Sequence, residues 1–142
     1  MTESPGEGTG PPQVLVELQE SSGPLAPRYQ HSTRIKVLRV GSEPRVAWEL
    51  RDVQGLREDN RLLTELRLEK LNGILREALP PGTRLDLAAE FRDRKGISFN
   101  SVTVDWPEAP SRLDYLLSHL EEPGGNPTAQ AVVRAIKELM TL

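Results

Sequence analysis

Residues 34–50 read RIKVLRVGSEPRVAWEL, two alternating runs on either side of Gly41-Ser42-Glu43-Pro44. Ile35 and Val37, followed by Val40, meet Val46, Trp48 and Leu50 across those four residues. The two-residue period is that of half-buried strands. Turn formers between two such runs predict a β-hairpin, with Trp48 on its core side.

Upstream, Val14, Val16 and Leu18 alternate with polar neighbours and predict one more strand, broken by Ser21-Ser22-Gly23-Pro24 and Pro27. Residues 1–12, MTESPGEGTGPP, offer almost nothing to bury and are expected to be a disordered tail ahead of a single α+β domain over 13–142. Ser4-Pro5 in that tail fits a proline-directed phosphate acceptor, against a tail with no role. Downstream, from about Asp59, the period changes. Leu62, Leu63, Leu66, Leu71, Ile74, Leu75, Ala78 and Leu79 fall at three- and four-residue spacings, which predicts one long amphipathic helix. Arg61 and Glu65 would pair across one turn of its wet face. Gly73 weakens such a helix and is expected to mark a close approach by the sheet, and Pro80-Pro81-Gly82 ends the element.

A second hairpin is predicted next. Leu85, Leu87, Ala89 and Phe91 alternate with charged residues, Asp93-Arg94-Lys95-Gly96 makes the turn, and Ile97 and Phe99 then change parity with Val102, Val104 and Trp106. One extra residue near Asn100-Ser101 restores a single face, so a β-bulge is expected there. After the corner from Pro107 to Pro110, Ser111 fits the N-cap of a helix over 112–121 with Leu113, Leu116, Leu117 and Leu120 on one side. Asn126 and Pro127 open a last helix, striped by Val132, Val133, Ile136, Leu139 and Met140. The fold class is therefore α+β: an antiparallel sheet of about five strands in two hairpins, with one long central helix and two C-terminal helices on one face.

Asp105-Trp106, Arg112-Leu113 through Leu117, and Gly125-Asn126-Pro127 resemble the closing helix–Gly-Asn-Pro–helix of small bacterial effector-associated adaptor modules. The resemblance covers about the last quarter of the chain. Those modules are helical, death-domain-like bundles, so the two expected hairpins depart from it, and it assigns no residue a role.

The chain has 142 residues, 37% of them hydrophobic and 27% charged, and a net charge of -3. A chain of that length buries roughly 68–70% of its unfolded surface and needs no metal or disulfide to fold. With no cysteine, disulfides, thiol nucleophiles and thiolate metal sites are excluded. His31 and His119 are too far apart to form a metal motif alone, so no cofactor is expected. Residues 1–5 carry neither a basic nor an apolar stretch, which reads as no signal peptide, and no apolar run reaches the roughly 20 residues of a membrane span. Cytoplasm, or nucleus in a eukaryote, is the expected compartment.

No string compels a chemistry. There is no Gly-x-Ser-x-Gly elbow and no phosphate-binding glycine loop between strand and helix. Gly124-Gly125-Asn126-Pro127 opens a helix whose amides can hold an anion, but Pro127 lacks one amide and a helix break accounts for the string. Asp86 and Glu90 alternate with Arg84 and Arg92, and Glu65 and Glu69 lie one turn apart; both pairs read as solvated faces. Leu113-Asp114-Tyr115-Leu116-Leu117 matches a groove-docking Leu-x-x-Leu-Leu helix, a pattern that core packing also produces.

Three function classes follow. The favoured one is a non-catalytic adaptor or accessory subunit that binds another protein or itself. Val132, Val133, Ile136, Leu139 and Met140 are its candidate docking arm, against a core helix that completes the sheet. The second is a nucleic-acid accessory protein using Arg92, Arg94 and Lys95 at a hairpin tip, with Arg34 and Lys36; the acidic balance and missing exposed aromatics weigh against it. The third is an enzyme or ligand binder whose pocket is assembled from residues distant in sequence.

Overall fold

The computed structural model describes residues 12–21, 30–92 and 100–141. Its strands are β1 (Gln13–Ser21), β2 (Ser32–Val40), β3 (Glu43–Asp52), β4 (Gly55–Leu62), β5 (Arg84–Asp86), β6 (Asn100–Val104) and β7 (Ser111–Tyr115), and its helices are α1 (Glu65–Ala78) and α2 (Pro127–Lys137). Single 3-10 turns cover Ala89–Phe91, Leu117–Leu120 and Glu138–Thr141. The strands form one sheet in the order β4-β3-β2-β1-β6-β7-β5, antiparallel throughout except where β5 runs parallel to β7. The expected tail falls, apart from Pro12, outside the described residues, as do Arg94, Lys95, Ile97 and Phe99.

The β2–β3 hairpin forms as its alternation dictates. Val40 pairs with Glu43 around Gly41, whose φ of 64° suits a residue without a Cβ. Val16, Leu18, Ile35, Val37 and Val46 point to one face and are buried together. Trp48 shares that face but is only half buried, with the Arg61 guanidinium 5.3 Å from its ring centre. Val14 departs from the expected alternation. The register shifts between Val14 and Val16, so Leu15 packs against the core and Val14 pairs with Leu38 on the other face.

The expected antiparallel sheet of about five strands is instead a seven-stranded mixed sheet, because β4 and β7 are strands and β5 joins β7 in parallel, and three further expectations about the fold are overturned. The expected long central helix is cut back to the 14 residues of α1, which starts at Glu65, not near Asp59: the Thr64 hydroxyl accepts from the Arg67 N–H and caps it, while residues 55–62 are strand β4. Both faces of β4 are solvated, so it carries no alternating signal. Leu62 is 58% exposed, and Arg61 lies in the strand; Glu65 is held instead by Arg39 at 3.1 Å. The buried stripe of α1 is Leu68, Leu71 and Leu75, continued by Leu79, and Leu66 and Ile74 lie outside it.

The expected helix over 112–121 is absent. Leu113 and Tyr115 are buried at the two-residue period of a strand, and β7 sits between β6 and β5. The leucine spacing that mimics a helix comes from a strand followed by a 3-10 turn. Ser111 caps nothing; its buried hydroxyl donates to the Pro80 carbonyl at 2.6 Å and accepts from the Thr83 N–H at 3.2 Å. The resemblance to helical adaptor modules therefore fails at its first helix, and the Leu-x-x-Leu-Leu string lies on no α-helix. Among the described residues two α-helices are present, not three.

The second hairpin is also replaced. β5 pairs with β7 rather than β6, and Ala89–Phe91 is a 3-10 turn. The register of Asn100–Val104 against β7 is continuous, with no bulge within it. The corner after β6 clasps α1: the Trp106 indole N–H donates to the Leu79 carbonyl at 2.8 Å, Arg76 lies 4.5 Å from that ring, and Arg76 and Glu108 pair at 2.8 Å.

α2 begins as its sequence directs. Pro127 is its first residue, and the Asn126 side chain accepts from the Ala129 N–H at 3.0 Å. Ala129, Val132, Val133, Ala135 and Ile136 are buried in the same core as the inward strand residues, together with the α1 leucines. Lys137 of α2 reaches the Glu20 carboxylate at 2.7 Å, and the buried Tyr115 hydroxyl donates to the same carboxylate at 2.5 Å. Burial, with the nearby Glu20 charge, pushes the Tyr115 hydroxyl far above its ordinary pKa.

Candidate functional site

Pairing registers decide which side chains share the second face of the sheet. Asn60, Ala47, Lys36, Glu17, Thr103, Arg112 and Arg84 form one row across all seven strands. Glu58, Glu49, Arg34, Gln19, Ser101, Asp114 and Asp86 form the next. Side chains two residues apart on a strand share a face, so Glu43, Arg45 and Arg51 join them. Among the described residues neither α-helix packs on this face, since the buried residues of both belong to the core on the other side.

The open face is charged but balanced. Arg34, Lys36, Arg45, Arg51, Arg84 and Arg112 oppose Glu17, Glu43, Glu49, Glu58, Asp86 and Asp114. At the β7–β5 end these charges satisfy one another. Arg112 pairs with Asp114 at 3.0 Å and Arg92 with Asp86 at 2.6 Å. The Arg92 hydrogen bond, aided by the Ala88 N–H, holds the Asp86 carboxyl below its usual range. The ion pair with Asp114 raises Arg112 in turn.

At the β4–β3–β2 end the charges close only in part: Arg45 pairs with Glu43 at 2.9 Å and donates to the Asn60 side chain at 2.7 Å. Glu49 and Glu58 stand directly opposite one another on neighbouring strands, where like charges repel. Among the described residues no ion pair reaches Glu49, Glu58, Lys36 or Arg51, and Arg34 pairs with Glu17 at 3.4 Å. Two shallow hollows of about 330 and 340 Å³ flank Arg34. Lys36, Glu58 and Asn60 line the first, Gln19, Ser32 and Arg51 the second, and Arg34 and Glu49 contribute to both. No aromatic residue of the described strands stands on this face, because Trp48 and Tyr115 share the parity of the core.

The residues singled out from sequence are scattered. Val132, Val133, Ile136 and Leu139 are buried in this chain's own core, and Met140 packs partly buried against it. Arg92 is exposed and engaged by Asp86, while Arg94 and Lys95 lie outside the described residues. Arg34 and Lys36 are the two that fall at the centre of the open face. Glu49, Glu58 and Arg51 escaped notice. The hairpin register places Glu49 opposite Arg34 and Arg51 opposite Ser32, but Glu58 needs β4, whose signal is missing.

The remaining candidates are internally occupied. In the Gly124–Pro127 corner, the Gly125 N–H donates to the Glu121 carbonyl at 2.9 Å and the Asn126 N–H to the His119 carbonyl at 2.8 Å. A Cβ on Gly125 would collide with both carbonyl oxygens, so the glycine serves the turn rather than an anion. His119 Nδ1 accepts from the Leu116 N–H at 3.0 Å. Among the described residues no helix is long and apolar enough to cross a membrane. Compared with known proteins, the chain matches no family model, no curated protein and no solved structure.

Proposed function

We propose that the chain is a non-catalytic protein–protein interaction module whose contact surface is the open face of its sheet. The observation that carries this reading is the direct opposition of Glu49 and Glu58, neither of which is in an ion pair among the described residues, with Lys36 and Arg51 likewise outside any ion pair beside them. At the β7–β5 end the like-charged neighbours Arg84/Arg112 and Asp86/Asp114 are relieved by the Arg112–Asp114 and Arg92–Asp86 ion pairs, and Glu49 and Glu58 have no such ion pair among the described residues. Departures from local consistency concentrate at functional sites. A partner protein that brings a basic side chain between Glu49 and Glu58 relieves the repulsion and gains orientation as well as attraction.

The balance of charge favours a protein partner over nucleic acid. A phosphate backbone selects a net positive surface, and single strands select aromatic platforms; the described strand residues of this face supply neither. The hollows hold solvated charges and no hydrogen-bonded nucleophile and base, so they support binding rather than turnover.

Quantitative affinity capture from native cell extract tests the reading, comparing the unaltered chain with Glu49→Lys/Glu58→Lys and with an Arg92→Ala control. A stoichiometric protein retained by the first and the control, and lost from the double variant, is the expected result. Equal retention by all three, or a captured species that nuclease removes, overturns it.

A further inference from the structure

The exposed side of α1 carries Leu66, Lys70, Gly73, Ile74 and Glu77 at the spacing of one continuous helix face. Leu66 is 75% exposed and Ile74 39%. Gly73 sits in the helix interior, where only proline is a poorer helix former. A Cβ there would meet nothing within 4 Å, so the sheet makes no close approach and no contact among the described residues requires a glycine there. The missing side chain opens a groove of about 630 Å³ between α1 and the start of α2, lined by Gly73, Ile74, Ala78, Pro127 and Ala131. Lys70 and Glu77 stand at the two ends of the groove, and neither makes an ion pair among the described residues.

We propose that this face receives a second copy of the same chain, with the two α1 helices packed antiparallel about a two-fold axis between Gly73 and Ile74. Each Ile74 then falls on the gap left by Gly73 of the other copy. Each Lys70 falls on the Glu77 of the other copy, and the reverse pair forms by symmetry. The contact is isologous and closes at two subunits. Charge complementarity selects both the occupant and its direction, because parallel packing in this register would set Lys70 against Lys70 and Glu77 against Glu77. One patch thus supplies knob, hole and both charges. It lies on the helical side of the molecule, away from the open sheet face, and is independent of the function proposed above.

Sedimentation equilibrium on the full chain, over a concentration series at low and moderate salt, tests this. A reversible monomer–dimer equilibrium that weakens with salt is expected. Lys70→Glu and Glu77→Lys should each raise the dimer Kd roughly tenfold or more, since each turns two attractive pairs into repulsive ones. An equimolar mixture of those two variants should recover dimer as a heterodimer, because every mispaired charge in one is matched in the other. Gly73→Gln should abolish the dimer while leaving the circular dichroism of the fold intact. A monomer at every concentration overturns the proposal. So does a dimer indifferent to Lys70→Glu and Gly73→Gln, or a mixture of the charge variants that stays monomeric.

Discussion

The two faces of this sheet use the same strands and the same alternation, yet they solve opposite problems. On the inner face, Leu18, Ile35, Val37, Val102 and Leu113 lie under both helices and exclude water completely. Neither α-helix packs on the outer face, and its charged neighbours interact in water. A mismatch on the inner face costs kilocalories because it leaves a cavity or an unpaired polar atom. A mismatch on the outer face costs tenths, because solvent screens it. Only the outer face can therefore hold like charges directly opposed, as Glu49 and Glu58 are, without endangering the fold.

That contrast can be broken most directly at α2. Ile136 is fully buried, so Ile136→Ala should cost about 2–5 kcal/mol, and deleting residues 128–142 should abolish cooperative unfolding altogether. Thermal denaturation followed by circular dichroism checks both. A truncated chain that still melts cooperatively would mean that the inner face does not depend on its cover.

A smaller effect is expected where the inner face meets its rim. Tyr115→Phe removes the hydrogen bond to Glu20 and should cost about 1–3 kcal/mol at neutral pH, Lys137 remaining to hold the carboxylate. The pH dependence sharpens this. The folded hydroxyl titrates far above its ordinary value near 10, so its contribution is complete below that pH and is lost as pH rises past it, where the unfolded chain ionises first. Denaturant titrations between neutral pH and pH 11 should find the gap between wild type and variant narrowing. A constant gap would refute the assignment.

On the open face the expected change is smallest and opposite in sign. Glu58→Gln removes the cross-strand repulsion and should stabilise the chain by about 0.2–1 kcal/mol while weakening partner capture. A variant that loses stability instead would mean that Glu58 has an attractive role within the fold.

How well each element could be anticipated follows from how its signal arises. The β2–β3 hairpin and the start of α2 were both readable, because alternation, turn residues and an Asn-Pro cap act within a few residues of one another. β4 was hidden, since a strand buried on neither face has no apolar period. β7 was mistaken for a helix, because Leu113, Leu116, Leu117 and Leu120 fit the period of 3.6 while only Leu113 and Tyr115 mark the strand. In α1 the near-continuous leucines allowed two stripes, and packing chose Leu68, Leu71 and Leu75 over Leu66 and Ile74. The candidate site was less readable still: Arg34 and Lys36 were noticed for their charge, but their relation to Glu49 and Glu58 depends on a register between strands.

Local chemistry in the chain thus settles its turns, its caps, the absence of any cysteine chemistry and the apolar content sufficient for a core. Tertiary pairing alone inserts β7 between β6 and β5, leaves one sheet face open and turns two α1 apolar residues outward. The reason is physical. A turn or cap is stabilised by atoms a few residues apart, whereas strand order and the covered face depend on burial between residues distant in the chain, which many local patterns satisfy equally well.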